Sequence, residues 1–218
     1  MNMLVSIVCT NLDKNYAMDL FSEKKQHFNL PNAELIYIPN FFSKQEADSY
    51  FKIIETDTNW RHDDITVFGK TDKQPRLTAL FGETNQPYGY SNNVMHPKPF
   101  TPNIKTIKQR VEGTAHYKFN TVLINLYRGG NDSNGWHADN EKELGKNPVI
   151  ASVSFGETRP FYFKHRSIKE QRHKLNLDHG SLLIMEGEMQ QHWLHQIAKT
   201  KKQVEPRIKL TFRKLIKV

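Results

Sequence analysis

A chain of 218 residues and 25.5 kDa is long enough for one domain with a substantial core. Its 37% hydrophobic and 25% charged residues, with 11 Gly and 10 Pro, exclude disordered, collagenous and low-complexity classes. The single cysteine, Cys9, excludes an internal disulfide framework and any cysteine-cluster metal site, and the formal net charge of +8 lies wholly in residues 110–218, a field that attracts polyanions, nucleic acid first.

In chain order, residues 1–9 are apolar but short, with no basic n-region and no small-residue cleavage site. No apolar run approaches the roughly 20 residues of a membrane-spanning helix. We expect an intracellular chain without a membrane anchor, opening on an extension over 1–33. Residues 34–39 read as a short strand. Ser43 and Glu46 have the spacing of a capping box, and the helix they open carries Ala47, Tyr50, Phe51 and Ile54 on one apolar face. Thr101-Pro102 opens a second helix with Ile104, Ile107 and Val111 as its buried stripe. From residue 120 the pattern changes to short alternating or apolar runs at 121–127, 149–155, 160–164, 174–177, 181–185, 192–197 and 207–215. Turn-like stretches at 129–135 and 178–180 divide them. The spacing predicts an α+β protein: an α/β N-terminal portion laid against an antiparallel β sandwich or barrel, sharing one core.

Two features carry chemistry. His137-Ala138-Asp139 is an H-x-D; in extended backbone residues i and i+2 face one way, so imidazole and carboxylate can grip one ion. With a distant histidine they make the 2-His-1-carboxylate set that leaves positions open on iron(II). Spacing alone leaves His179, His192 and His195 all open as the third member. The second feature is 207–213, where Arg207, Lys209, Thr211 and Arg213 alternate with Ile208, Leu210 and Phe212. Two arginines pointing inward from a buried strand need anionic partners, and guanidinium forks take carboxylates bidentately.

Asn125-Leu126-Tyr127, His137-Ala138-Asp139, His195 and Arg207 through Arg213, in this order, resemble the AlkB family of iron(II)- and 2-oxoglutarate-dependent nucleic-acid dealkylases, and most nearly the DNA-repair branch that contains the second human homologue. The likeness covers roughly 34–217. It implies a double-stranded β-helix (jelly-roll) core over 119–218 with N-terminal helices and a nucleotide-recognition lid over 34–118, forming one unit. It implies that His137, Asp139 and His195 hold Fe(II), and that Asn125, Tyr127, Arg207, Thr211 and Arg213 surround 2-oxoglutarate. With O2, such an enzyme decarboxylates 2-oxoglutarate to succinate and CO2 while hydroxylating a methyl on a ring nitrogen, and the unstable product sheds formaldehyde.

The same resemblance extends to the nucleobase. A methyl on a Watson–Crick nitrogen is hidden in a duplex, so the base must be flipped out or met in a single strand. Residues 64–70 resemble the branch's hairpin, with Phe68 as the wedge beside Gly69 and Lys70. Tyr88, Gly89 and Tyr90 align with the lid segment that meets the nucleotide, and Trp136 is a further candidate for the pocket lining. Lys199, Lys201 and Lys202 fall where the branch meets phosphate. One position departs: duplex-repair relatives have an acidic residue directly after the H-x-D, where this chain has Asn140, followed by Glu141. Asn donates as well as accepts, which alters base preference. The implied partner is DNA carrying 1-methyladenine or 3-methylcytosine, duplex before single strand, met by a monomer in the cytoplasm or nucleoid of a bacterium or the nucleus of a eukaryote. The alternatives are the same chemistry on RNA or tRNA, or a non-catalytic nucleic-acid-binding jelly roll.

Overall fold

The computed structural model describes residues 25–67, 69–90 and 93–216; residues 1–24, with Cys9, lie outside it. The elements begin with β1 (Gln26–Leu30), β2 (Ala33–Ile38), α1 (Lys44–Asp57), β3 (Asp64–Val67), β4 (Lys70–Lys73), β5 (Leu77–Gly82), β6 (Tyr88–Tyr90), β7 (Asn93–Met95), β8 (Lys98–Pro99) and α2 (Pro102–Ala115). They continue with β9 (Thr121–Tyr127), β10 (Asn134–His137), β11 (Ile150–Gly156), β12 (Arg159–His165), β13 (Arg172–Leu177), β14 (Ser181–Glu186), α3 (Met189–His192), β15 (Trp193–Ile197) and β16 (Arg207–Arg213). Among the described residues no helix is long and apolar enough to cross a membrane.

Both long helices start where their caps require. The Ser43 hydroxyl accepts from the Glu46 N–H, and the Glu46 carboxylate accepts from the Ser43 N–H at 2.8 Å. Thr101 accepts from the Ile104 N–H with Pro102 at the first helical position. The buried residues of α1 and α2, Ala47, Ile54, Ile104, Ile107 and Val111, pack on one face of an eight-stranded sheet ordered β1-β2-β14-β11-β16-β9-β5-β8. Its opposite face, with Leu123, Tyr127, Ile150 and Met185, closes against Phe161, Phe163, Trp193 and Ile197 of a four-stranded sheet ordered β10-β15-β12-β13. The layers are therefore helices, large sheet and small sheet, with two apolar cores. Strands β1, β2, β5 and β8 precede residue 119 and complete the large sheet, so the expected N-terminal extension already contributes a strand at Gln26.

Two local expectations need correction. The stretch 129–135 reads as turn, yet Asn134–His137 forms β10, because its pairing partner is β15, far along the chain. His192 is not a strand residue: Met189–His192 winds one helical turn, closed by the Trp193 N–H donating to the Met189 carbonyl, and the strand begins at Trp193.

The link from α2 into β9 hangs on Glu112, 6% exposed. Its carboxylate accepts from the Phe119 N–H at 2.9 Å and pairs with Lys108 at 2.8 Å and Lys118 at 3.0 Å. Burial pushes this carboxyl up, but those hydrogen bonds outweigh it and hold it below its ordinary value. A lowered acid stabilises the fold above its unfolded value and loses that contribution as pH falls through the folded one. Glu112→Ala leaves the Phe119 N–H without its partner and is expected to cost about 1–3 kcal/mol. Chemical denaturation at neutral pH and near pH 3 checks it, the difference between variant and wild type shrinking in acid.

Candidate active site

His137 ends β10 and stands directly opposite His195 of β15 in the antiparallel register. The two rings meet edge to face with centroids 4.3 Å apart. Asp139, two residues beyond the end of β10, is buried. Its N–H donates to Gln190 Oε1 at 2.9 Å and its Oδ1 accepts from Arg213 Nη2 at 2.8 Å. The H-x-D pair thus meets at a strand end rather than along regular extended backbone. Of the three histidines that spacing left open, only His195 joins it. His179 accepts from the Gly156 N–H and faces Asp48, while His192 faces Glu188.

The imidazoles are held neutral. His137 Nδ1 lies 2.7 Å from the Gly135 carbonyl, an acceptor, so the ring proton sits there and the lone pair remains on Nε2, which accepts from Asn134 Nδ2 at 3.0 Å. Burial pushes His137 down to about 4 against the attraction of Asp139. Burial and the neighbouring His137 push His195 well below its ordinary value. Burial works against the Asp139 charge, but Arg213 above all, then the two histidines and Lys209, hold the carboxyl well below the usual carboxylate range. Two neutral imidazoles beside a permanent carboxylate are a metal donor set.

Strand β16 runs between β11 and β9 in the middle of the large sheet and is buried on both faces. Ile208, Leu210 and Phe212 enter the helix-side core. On the other face Arg207 pairs in register with Tyr127, Lys209 with Asn125 and Thr211 with Leu123. The buried arginines that alternation predicted are present, and their donors are incompletely used. Arg207 gives both Nη1 hydrogens to the Leu177 and Glu157 carbonyls and one from Nη2 to Ser154 Oγ at 2.6 Å, leaving Nε buried without a partner. Arg213 reaches Asp139 through Nη2 and leaves Nε and Nη1 without partners. Lys209 is 4% exposed; its ammonium lies 5.4 Å from the centre of the Phe161 ring. Burial first, then Arg213, Arg207 and Arg76, push it down to about 8. A buried donor without an acceptor costs about 1–3 kcal/mol, more when charged, so this row of cations calls for an anion.

Among the described residues no group of three His, Cys, Asp or Glu side chains stands in a finished metal-binding array; the Asp139 carboxylate is engaged by Arg213 instead. The donor chemistry nevertheless fits iron: two neutral imidazoles, one carboxylate, and a buried His195 Nδ1 with no partner.

Other residues singled out from the sequence fall on either side of this site. Asn125 and Thr211 are buried, Asn125 Oδ1 accepting from Arg76 Nε at 3.0 Å. Tyr88 is fully buried, its ring 5.6 Å from the Arg213 guanidinium, so it forms a wall of the site. Burial and the neighbouring Asp139 raise the Glu141 carboxyl. Asn140 and Gly89 are exposed. Trp136 is 40% exposed, with the Lys164 ammonium 4.4 Å over its ring; β10 shifts register between Asn134 and His137, so simple alternation does not set its face. Residues 64–73 form a hairpin with Val67 opposite Lys70. Gly69 there takes φ +77, a conformation that favours glycine; Phe68 lies outside the described residues. Lys199, Lys201 and Lys202 are exposed on a loop that packs against Gly130, where any side chain would strike the Thr200 carbonyl. Lys199 and Lys202, with Lys174, Tyr162 and Asn176, border a cleft of about 400 Å³.

Sequence reasoning gave no role to Lys209, Arg76 or Gln190. Lys209 was visible on the inward face of its strand; Arg76 and Gln190 carry no local signal, since each reaches the site across a long chain separation.

The chain matches the model of the 2OG-Fe(II) oxygenase superfamily over residues 34–213. Two solved structures share its jelly-roll fold. One is described as the structure of OsALKBH1, with a TM-score of 0.59 at 17% identity, covering 86% of this chain and 100% of that one. The other is a prolyl hydroxylase from Trichoplax adhaerens, at 0.55 and 11%, covering 83% of each. Fold and match define an oxygenase of the class that uses Fe(II), 2-oxoglutarate and O2. Within that class, the human alpha-ketoglutarate-dependent dioxygenase alkB homolog 3 is 42% identical over 189 residues, 80% of this chain and 64% of that protein. The human DNA oxidative demethylase ALKBH2 is 38% identical over 185 residues, 80% of this chain and 71% of that protein. The chain belongs to the AlkB family. It spans 64% of the length of the bovine and human homolog 3 relatives. The expected likeness to the branch of the second human homologue holds at 38% identity, and the third homologue is matched at 42%.

Proposed function

We propose that this chain is an Fe(II)- and 2-oxoglutarate-dependent dioxygenase that dealkylates N-alkylated bases, 1-methyladenine and 3-methylcytosine, in DNA. The observation that carries this reading is the row of buried, unsatisfied guanidinium nitrogens on Arg207 and Arg213, beside two neutral imidazoles and one carboxylate. A dicarboxylate supplies the missing acceptors. His137, Asp139 and His195 hold the iron. Arg207 clamps the cosubstrate's far carboxylate through its open Nε, because Arg213, tied to Asp139, stands at the metal end. Asn125, Tyr127 and Thr211 wall the same space. Iron with 2-oxoglutarate and O2 supplies an oxidant able to hydroxylate an N-methyl group, whose product loses formaldehyde. The protein's own part is to leave coordination positions open, orient the substrate and exclude water.

The N-terminal hairpins, β3–β4 and β6–β7, act as the nucleotide-recognition lid. Phe68 with Gly69 and Lys70 wedges into the duplex; Gly89, Tyr90, Asn140 and Glu141 meet the flipped base with Tyr88 as the buried wall behind them, and Lys199, Lys201 and Lys202 meet phosphate. The net charge of +8 supports a polyanionic substrate. The relatives named for DNA demethylation support DNA.

The test is formaldehyde release from matched single- and double-stranded oligonucleotides bearing one 1-methyladenine, with Fe(II) and 2-oxoglutarate. Release from the duplex is expected. Phe68→Ala is expected to lower duplex turnover about tenfold while sparing single strands, since unstacking a base step costs a few kcal/mol that the wedge offsets. Equal loss on both strand forms removes the wedge role. No release from either form, with iron bound, moves the substrate to RNA or another modified base.

A further inference from the structure

Gln190 sits on the one-turn helix α3, immediately ahead of β15, and is 1% exposed. Its Oε1 accepts from the Asp139 N–H at 2.9 Å, and the same atom lies 3.3 Å from His195 Nε2. Its Nε2 points away, 3.8 Å from the Met185 sulfur. A single buried acceptor thus touches two of the three residues assigned to iron, and these two come from different strands. Nothing else among the described hydrogen bonds joins Asp139 to β15 or α3. The Asp139 segment is irregular backbone beyond the end of β10, without a sheet ladder to fix its N–H, so its position depends on side-chain contacts.

We propose that Gln190 is the positioning residue of the metal centre: its carbonyl oxygen sets the distance between the Asp139 backbone and the His195 ring that iron requires. The inference rests on the reading of His137, Asp139 and His195 as the metal ligands. Gln190 is not itself a ligand, and among the described hydrogen bonds it makes none to Arg207 or Lys209. Outer contacts of this kind orient ligands, and their loss weakens metal affinity by about 10–100-fold. Met at 190 keeps the length and apolar bulk of the side chain while removing the acceptor.

The experiment titrates Co(II) into the metal-free full chain and reads both the dissociation constant and the visible d–d absorption, for wild type, Gln190→Met and Asp139→Ala. Gln190→Met is expected to bind about 10–100-fold more weakly with a shifted band, its metal-free melting temperature staying close to wild type. Wild-type affinity and band in Gln190→Met, with binding lost in Asp139→Ala, overturns the positioning role and leaves the ligand assignment standing. Unchanged affinity in Asp139→Ala overturns the ligand assignment itself. If Gln190→Met does not fold, Gln190→Asn, whose shorter chain withdraws the oxygen from both ligands, takes its place with the same two readings.

Discussion

Asp139→Ala is expected to abolish Fe(II) binding and turnover together, and also to destabilise the metal-free protein by about 3–5 kcal/mol. The first effect follows from removing the anionic member of a donor set whose other two members are neutral. The second follows from what Asp139 does without metal: its Oδ1 accepts from Arg213, and both side chains are almost fully buried, 3% exposed for Arg213 and 1% for Asp139. Removing one partner strands a charge in a low-dielectric interior. At 218 residues a loss of this size lowers the melting temperature by roughly 10 °C. The two effects separate in Asp139→Ala combined with Arg213→Met, which removes the stranded charge. That pair is expected to regain much of the lost stability and none of the metal binding. Calorimetry of the metal-free variants beside Co(II) titration reads both. A single variant that melts like wild type contradicts the buried ion pair.

Arg207→Leu is expected to raise the KM for 2-oxoglutarate roughly 10–100-fold, the equivalent of the 1.5–3 kcal/mol of hydrogen bonds to a charged group, with Co(II) affinity in the absence of cosubstrate unchanged. Of its five N–H donors, three are used on Leu177, Glu157 and Ser154, which fix the guanidinium in place. Two donors remain, the second Nη2 hydrogen and the wholly unpartnered Nε, and the latter is the one aimed at a carboxylate in our reading. Arg207→Lys keeps the charge but loses the planar fork and is expected to fall between the two. An unchanged KM in Arg207→Leu would return the clamp to Arg213 or Lys209. The split between KM and metal affinity distinguishes this effect from a general disturbance of β16, which also orders the large sheet.

How much of this could be read in advance varied with the range of the interaction. Alternation in 207–213 announced a strand with inward arginines, and period two is a local property that survives in any fold where one side is wet or polar and the other apolar. The capping residues Ser43 and Thr101 set both helix starts, because a cap is satisfied within four residues. Trp136 shows the limit. It adjoins His137 in sequence, yet its partner is Lys164 of β12, 4.4 Å over its ring, a contact no local pattern announces because β10 shifts register just before His137.

The amino-acid sequence by itself determined α1 and α2, most of the core strands, the inward row Arg207, Lys209, Thr211 and Arg213, and the order of motifs by which the AlkB family is recognised and His195 is singled out. Only the tertiary structure decided that β10 exists, that Met189–His192 winds a helical turn, that Arg213 holds Asp139, and that Gln190 and Arg76 reach the site. The reason is one of chain separation. Helix periods, caps and strand alternation are fixed by neighbours within a turn or two. Which strands pair, and in what register, is fixed by two cores closing at once, and those pairings set His195 of β15 against His137 and bring Gln190 of α3 and Arg213 of β16 within hydrogen-bond reach of Asp139.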